Sequence, residues 1–201
     1  MQKPRMEMCE ALIKKLKSGA KLDSDEYLCL IKNRAECAES AFAAAAELRN
    51  KIYGKQVYIR GLIEFTNYCK NDCFYCGIRR SNSNAQRYRL SADEILECAK
   101  NGYELGFRTF VLQGGEDAYY SDEVLCGIVS KIKSAYPDCA VTLSVGERSF
   151  ESYKKLRLAG ADRYLLRHET ANKLHYEKLH PPQMSFDNRI KCLYDLSLIH
   201  I

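Results

Sequence analysis

The apolar and polar positions of this chain change period once, near Gly54. Upstream, apolar residues recur at helical spacing. Ala11, Leu12, Ile13 and Leu16 form one stripe, and the alanine-rich run Ala35–Leu48 forms another. Alanine is the best helix former, and Asp23 or Ser24 is placed to cap a helix beginning near Glu26. Three helices are therefore expected between Glu7 and Ile52. Downstream, short runs rich in β-branched and aromatic residues alternate with helical patterns. Val57–Phe65, Phe107–Gln113, Ala140–Val145 and Asp162–Arg167 read as strands. Ser91-Ala-Asp-Glu94 is a capping box for a helix through Leu105, with Gly106 as its stop. Asp122–Tyr136 is a helix ended by Pro137, Phe150–Leu158 is one closed by Gly160, and Ser185–Leu196 is one capped by Ser185 or Asp187.

Strands that alternate with helices predict an α/β fold with parallel pairing and right-handed crossovers. Near-continuous apolar strands predict burial on both faces. A doubly wound sheet and a barrel both fit. The expected division is an N-terminal helical segment, residues 1–52, and an α/β segment, residues 53–201.

Composition narrows the setting. The N-terminus has no apolar core of an export signal, and no stretch is apolar for long enough to span a membrane. Ten cysteines in 201 residues without such a signal point to a reducing cytoplasm, where thiols stay free. The net charge of +5 is dispersed, so a solvated surface is expected rather than a nucleic-acid footprint.

The candidate chemistry lies in Cys69-x3-Cys73-x2-Cys76. At this cysteine content the spacing arises by chance on the order of 0.02 times per chain. Zinc would want a fourth Cys or His close by, and none follows within the next twenty residues. Three thiolates on one loop can instead hold three irons of a four-iron cluster and leave the fourth open to a substrate or cofactor. The remaining cysteines, Cys9, Cys29, Cys37, Cys98, Cys126, Cys139 and Cys192, look scattered and form no regular framework.

The other unusual residues also follow strands. They are Gln113-Gly114-Gly115-Glu116-Asp117, Ser144-Val-Gly146-Glu147-Arg148 and Arg167-His168-Glu169-Thr170. Active sites of parallel α/β proteins sit at the carboxyl ends of strands, so four loops are expected to converge on one mouth. Gly114 and Gly115 make a tight turn or let backbone approach a ligand, and Glu116 can receive an ammonium group. Glu169 reads either as a helix-start carboxylate or as an acceptor for hydroxyls or an amine. Arg189 lies in a helix, as surface charge or as the fork for a carboxylate. His168 reads as structural, Cys192 as core, Pro181-Pro182 as a rigid loop, and His180 has no evident partner.

With Tyr75 just before the last cysteine, the motif resembles the radical S-adenosylmethionine (SAM) superfamily. The longer strings Phe65–Arg80, Gly106–Asp117 and Gly160–Asn172 are similar to the HydE-type maturases of iron-iron hydrogenase, relatives of biotin synthase and methylornithine synthase. The resemblance spans roughly residues 53–195. It implies a TIM-type (β/α) barrel. It also implies that Cys69, Cys73 and Cys76 hold a 4Fe-4S cluster whose open iron takes the amino and carboxylate groups of SAM. Tyr75 would lie near the adenine, and Gly114, Gly115 and Glu116 near the methionine amino end. Ser144 and Glu169 would contact the ribose and amino portions, and Arg189 the carboxylate. The implied activity is cleavage of SAM to a 5′-deoxyadenosyl radical in assembly of the hydrogenase diiron subcluster. Implied partners are a small-molecule or organometallic substrate, an electron donor and other hydrogenase maturases.

Two further expectations complete the reading. A whole (β/α)8 barrel needs about 250 residues, and here about four strands precede an apolar run, Ser197–Ile201, with no glycine stop. The chain is thus expected to be a barrel truncated to about its first half after N-terminal helices, with final residues that are not native, and to be poorly soluble or inactive alone. The competing functions are methylornithine synthase or a biotin-synthase-like sulfur inserter and, in another class, a noncatalytic iron–sulfur or zinc-binding module.

Overall fold

The computed structural model describes residues 2–201, with side chains from Met6 onward. These form two compact units, one ending at Tyr58 and the other spanning Ile59–Ile201. The first unit holds α1 (Gln2–Lys17), α2 (Ser24–Lys32) and α3 (Arg34–Tyr53). Asp23 caps α2 through a capping box: its carboxylate accepts from Glu26 N at 2.9 Å, and Glu26 accepts from Asp23 N at 2.9 Å. Gly54, at φ 62°, ends α3. The small core of this unit centres on Cys9, Ile13 and Cys37, with Cys29 packed against it. Three cysteines that look scattered in sequence therefore meet here, one from each helix. Among the described residues no helix is long and apolar enough to cross a membrane.

The second unit follows the alternating pattern. Its elements are β1 (Gly61–Thr66), α4 (Ala92–Glu104), β2 (Thr109–Gly114), α5 (Asp122–Ala135), β3 (Ala140–Ser144), α6 (Phe150–Leu158), β4 (Arg163–Tyr164), α7 (Lys173–Leu179) and α8 (Phe186–Leu198). The four strands pair in parallel in the order β1-β2-β3-β4. A doubly wound sheet reverses its strand order at a switch point, whereas this one adds each strand beside the last, as a barrel does. Ser91 and Ser185 cap their helices as expected, and Ser121 and Ser149 do the same for α5 and α6, each accepting a backbone N–H of the first turn.

Two local expectations fail, and one helix was missed. Val57–Arg60 is not strand, because pairing begins only at Gly61 opposite Phe110; Val57, Tyr58 and Ile59 are exposed. The fourth strand shrinks to two residues, paired only with Thr142 and Leu143. The helix α7, capped by Asn172, was not legible in the pattern.

Burial on both strand faces holds on β3, where Val141, Thr142 and Leu143 are all buried, and is corrected on β1. Ile63, Phe65, Phe110, Leu112, Val141 and Leu143 are buried together with residues of α4, α5 and α6 such as Ile95, Ile128 and Leu156. On β1 the alternate residues Leu62 and Glu64 face out, and Glu64 accepts from Gln113 Nε2 at 3.2 Å. One face of this sheet carries the helices; the other presents Leu62 and Val111 and, nearer the strand ends, Glu64, Gln113 and Ser144, which line the site.

Candidate functional site

The cysteine loop leaves β1 and runs from 67 to 91 with no helix or strand beyond one bridge, Thr66 to Arg89. An irregular segment must satisfy its backbone by other means. Arg87 does most of this. Its guanidinium donates to the carbonyls of Ile78 at 2.9 Å, Arg79 at 2.6 Å and Asn82 at 3.2 Å, and also to that of Asn67. At the sheet end Arg89 grips Asp117 in a two-pronged pair, at 2.7 and 2.9 Å, while lying 3.9 Å over the Tyr68 ring. Asp117 is buried and also accepts from Thr66 Oγ1 at 2.8 Å. Burial alone would push its carboxyl up; the bonds from Arg89 and Thr66 outweigh that and hold it below its ordinary value.

Gly115 lets the loop lie against the end of β2. A Cβ there would come within 2.1 Å of the Tyr68 carbonyl oxygen and 2.8 Å of Cys69 Cβ. Glycine at this place is a close backbone approach. The three thiols are free and half-buried. Burial, reinforced by neighbouring thiols, pushes Cys73 up to about 11, and burial raises Cys69 as well. Among the described residues no three His, Cys, Asp or Glu side chains gather around a single point fit for one ion. Three thiols on one loop suit a group in which each takes its own iron.

All ten candidate residues, Cys69, Cys73, Tyr75, Cys76, Gly114, Gly115, Glu116, Ser144, Glu169 and Arg189, line one cavity of about 400 Å³. Its walls are the ends of the strands and the segments that follow them. Glu116 lies across Gly146, accepting from Glu147 N at 3.0 Å and facing Lys70 Nζ at 3.1 Å. Arg189 is not surface charge: it is 6% exposed, and its Nε donates to Glu147 at 2.6 Å. One Nη donates to the Arg167 carbonyl, and the other makes no hydrogen bond among the described residues. Glu169 precedes α7 by several residues, and Asn172 is the cap, so it is not a helix-start carboxylate. It adopts φ 65°, a left-handed conformation that costs a non-glycine residue about 1 kcal/mol or more. Cys192 is core, beside Tyr153 and Leu196.

Several residues of this site were not singled out by sequence. Glu147 and Arg167 stand in the strand-end strings, but nothing there marks Glu147 as the partner of Arg189. Arg87 carries no motif. His180 does find partners: it is buried, and its Nε2 lies 3.2 Å from Tyr75 Oη. Burial and the nearby Glu169 raise the Tyr75 phenol.

The family described as the radical SAM superfamily matches residues 63–198. The FeFe hydrogenase maturase subunit HydE of Thermotoga maritima is 50% identical over 158 residues, which is 79% of this chain and 44% of that protein. The crystal structure of HydG, a maturase of the FeFe hydrogenase, superposes with a TM-score of 0.84 at 25% identity, over 98% of this chain and 45% of that one. That of methylornithine synthase (PylB) gives a TM-score of 0.78 at 28% identity, over 94% and 56%. The chain spans about half the length of the curated relatives it matches. A sequential parallel sheet with a three-cysteine loop after its first strand, matched over most of the chain, places this protein in the radical SAM superfamily.

Proposed function

We propose that the protein is a SAM-cleaving enzyme of hydrogenase maturation. The observation that carries this is the meeting of the three cysteines, two acidic residues and a buried arginine at one cavity. Cys69, Cys73 and Cys76 hold a 4Fe-4S cluster, with Gly115 giving the loop its seat. Bound there, the cluster supplies the electron that cleaves SAM to methionine and a 5′-deoxyadenosyl radical. The chain's own residues bind and orient the cofactor. A zwitterion needs an acid and a base in a cavity largely shielded from water. Glu116 and Glu169 offer carboxylates to the ammonium and ribose hydroxyls, and Arg189 offers its remaining prong to the carboxylate. Ser144 and Tyr75 border the sugar and base.

The half-length identity to HydE supports assembly of the hydrogenase diiron subcluster as the role, on an organometallic or other small-molecule substrate, with an electron donor and other maturases as partners. The structural likeness to methylornithine synthase favours that chemistry as the second reading. Anaerobic reconstitution followed by EPR and product analysis tests the shared step. The expected outcome is a reduced-cluster signal that changes when SAM is added, with 5′-deoxyadenosine released. A signal indifferent to SAM leaves only a noncatalytic iron–sulfur module. Formation of methylornithine, with no release of 5′-deoxyadenosine on adding an iron–cysteine complex, favours the second reading.

A further inference from the structure

The last residue of α7 and the connector to α8 touch three successive residues of the cysteine loop. Cys73 Sγ lies 3.5 Å from Met184 Sδ, Phe74 N donates to the Leu179 carbonyl at 3.0 Å, and Tyr75 Oη lies 3.2 Å from His180 Nε2. His180 is the fixed point of this connector. It is 2% exposed and stacks on the Tyr176 ring, 3.8 Å between centroids at 20°.

Its hydrogen bonds settle its tautomer. Nδ1 lies 2.9 Å from the Tyr176 carbonyl, which only accepts, so Nδ1 carries the proton. Nε2 then faces the Tyr75 hydroxyl as an acceptor, beside the Glu169 carboxylate that also approaches that hydroxyl. The contact links the cysteine loop to a buried, stacked ring. Beyond His180 the chain is stiffened by Pro181 and Pro182 and reaches Ser185, which caps α8 by accepting from Asn188 N at 3.2 Å. Arg189 stands one turn further on and donates its backbone N–H to the Ser185 carbonyl at 3.1 Å. A short, constrained path thus ties the thiol loop to the guanidinium.

We propose that His180 is a positioning residue that, through the Tyr75 hydroxyl, sets the cysteine loop at the distance from Arg189 that one SAM molecule must bridge. This inference rests on the reading of the cavity as a SAM site. His180 touches no cofactor; it acts through Tyr75 and through α8.

The test uses the full chain, reconstituted anaerobically. Tyr75→Phe removes only the hydroxyl, on a half-exposed ring. His180→Phe keeps an aromatic ring on Tyr176 and removes both hydrogen bonds. His180→Gln restores an acceptor for Tyr75. Iron content, melting of the apoprotein, the EPR response to SAM and the SAM Kd are measured. Tyr75→Phe is expected to load iron and melt like wild type, yet to bind SAM about five- to tenfold more weakly, the worth of one hydrogen bond. His180→Phe is expected to show the same loss, His180→Gln to recover most of it, and the double variant to be no worse than His180→Phe alone. A SAM Kd and EPR response in Tyr75→Phe equal to wild type overturn the inference, as do additive losses in the double variant. If His180→Phe does not fold, Tyr75→Phe decides. A wild-type cluster whose EPR signal ignores SAM overturns the site reading and this inference with it.

Discussion

Glu116 occupies the space that a side chain on Gly146 would need: a Cβ built on Gly146 would lie 2.0 Å from Glu116 Cγ and 2.4 Å from its Oε1. Gly146 also sits at φ 78°, a conformation L side chains rarely adopt. Gly146→Ala therefore costs stability twice, by strain and by displacing a carboxylate that is only 10% exposed. The expected loss is about 1–2 kcal/mol in chemical denaturation. SAM affinity should fall at least tenfold by calorimetry; unchanged affinity would show that Glu116 faces no ligand.

Asp117 gives the site an acid limit. Its folded carboxyl titrates below its unfolded value, so the pair with Arg89 stabilises fully above about pH 4 and loses that contribution as pH falls through the lower, folded value. Asp117→Asn should cost about 2 kcal/mol at pH 7, discounted because Arg89 is partly exposed. The melting gap between wild type and variant should narrow below pH 4. A gap independent of pH would mean the carboxylate charge contributes nothing.

Cys73→Ala should abolish iron binding and visible absorption, whereas Cys98→Ala, at an exposed position on α4, should leave both intact. Stripping iron with a chelator should produce the same apo spectrum in wild type. Retained iron in Cys73→Ala would refute the ligand assignment.

Arg87 bonds to four carbonyls from Asn67 to Asn82. Arg87→Ala should loosen the loop by about 2 kcal/mol, seen as faster amide exchange in residues 67–90 and faster loss of iron. Arg87→Lys should recover only part, since an ammonium cannot reproduce the planar fork. Full recovery by Lys would make the contact one of charge alone.

Much of the site was legible because parallel α/β folds put strand-end residues side by side, so Cys69, Gly115, Ser144 and Glu169 met without any knowledge of distances. Helix starts were legible because Ser91 and Asp23 satisfy backbone donors locally. What was not legible depends on partners far away in sequence. Val57–Arg60 has strand-like residues but no strand opposite it. Glu147 and Arg189 are 42 positions apart, and either alone reads as a surface charge. His180 needed Tyr75, 105 positions away, to acquire a meaning. The apparent scatter of Cys9, Cys29 and Cys37 hid a shared core, because no helical period links residues on three separate helices.

The contact between Cys73 and Met184 spans 111 positions of chain. Ribosomes add roughly 5–20 residues per second. The thiol loop thus emerges some 5 to 20 seconds before the connector that closes over it and before Arg189. During that interval the three thiols stand open on a nascent chain, so the order of synthesis gives iron a window of access that the finished fold narrows.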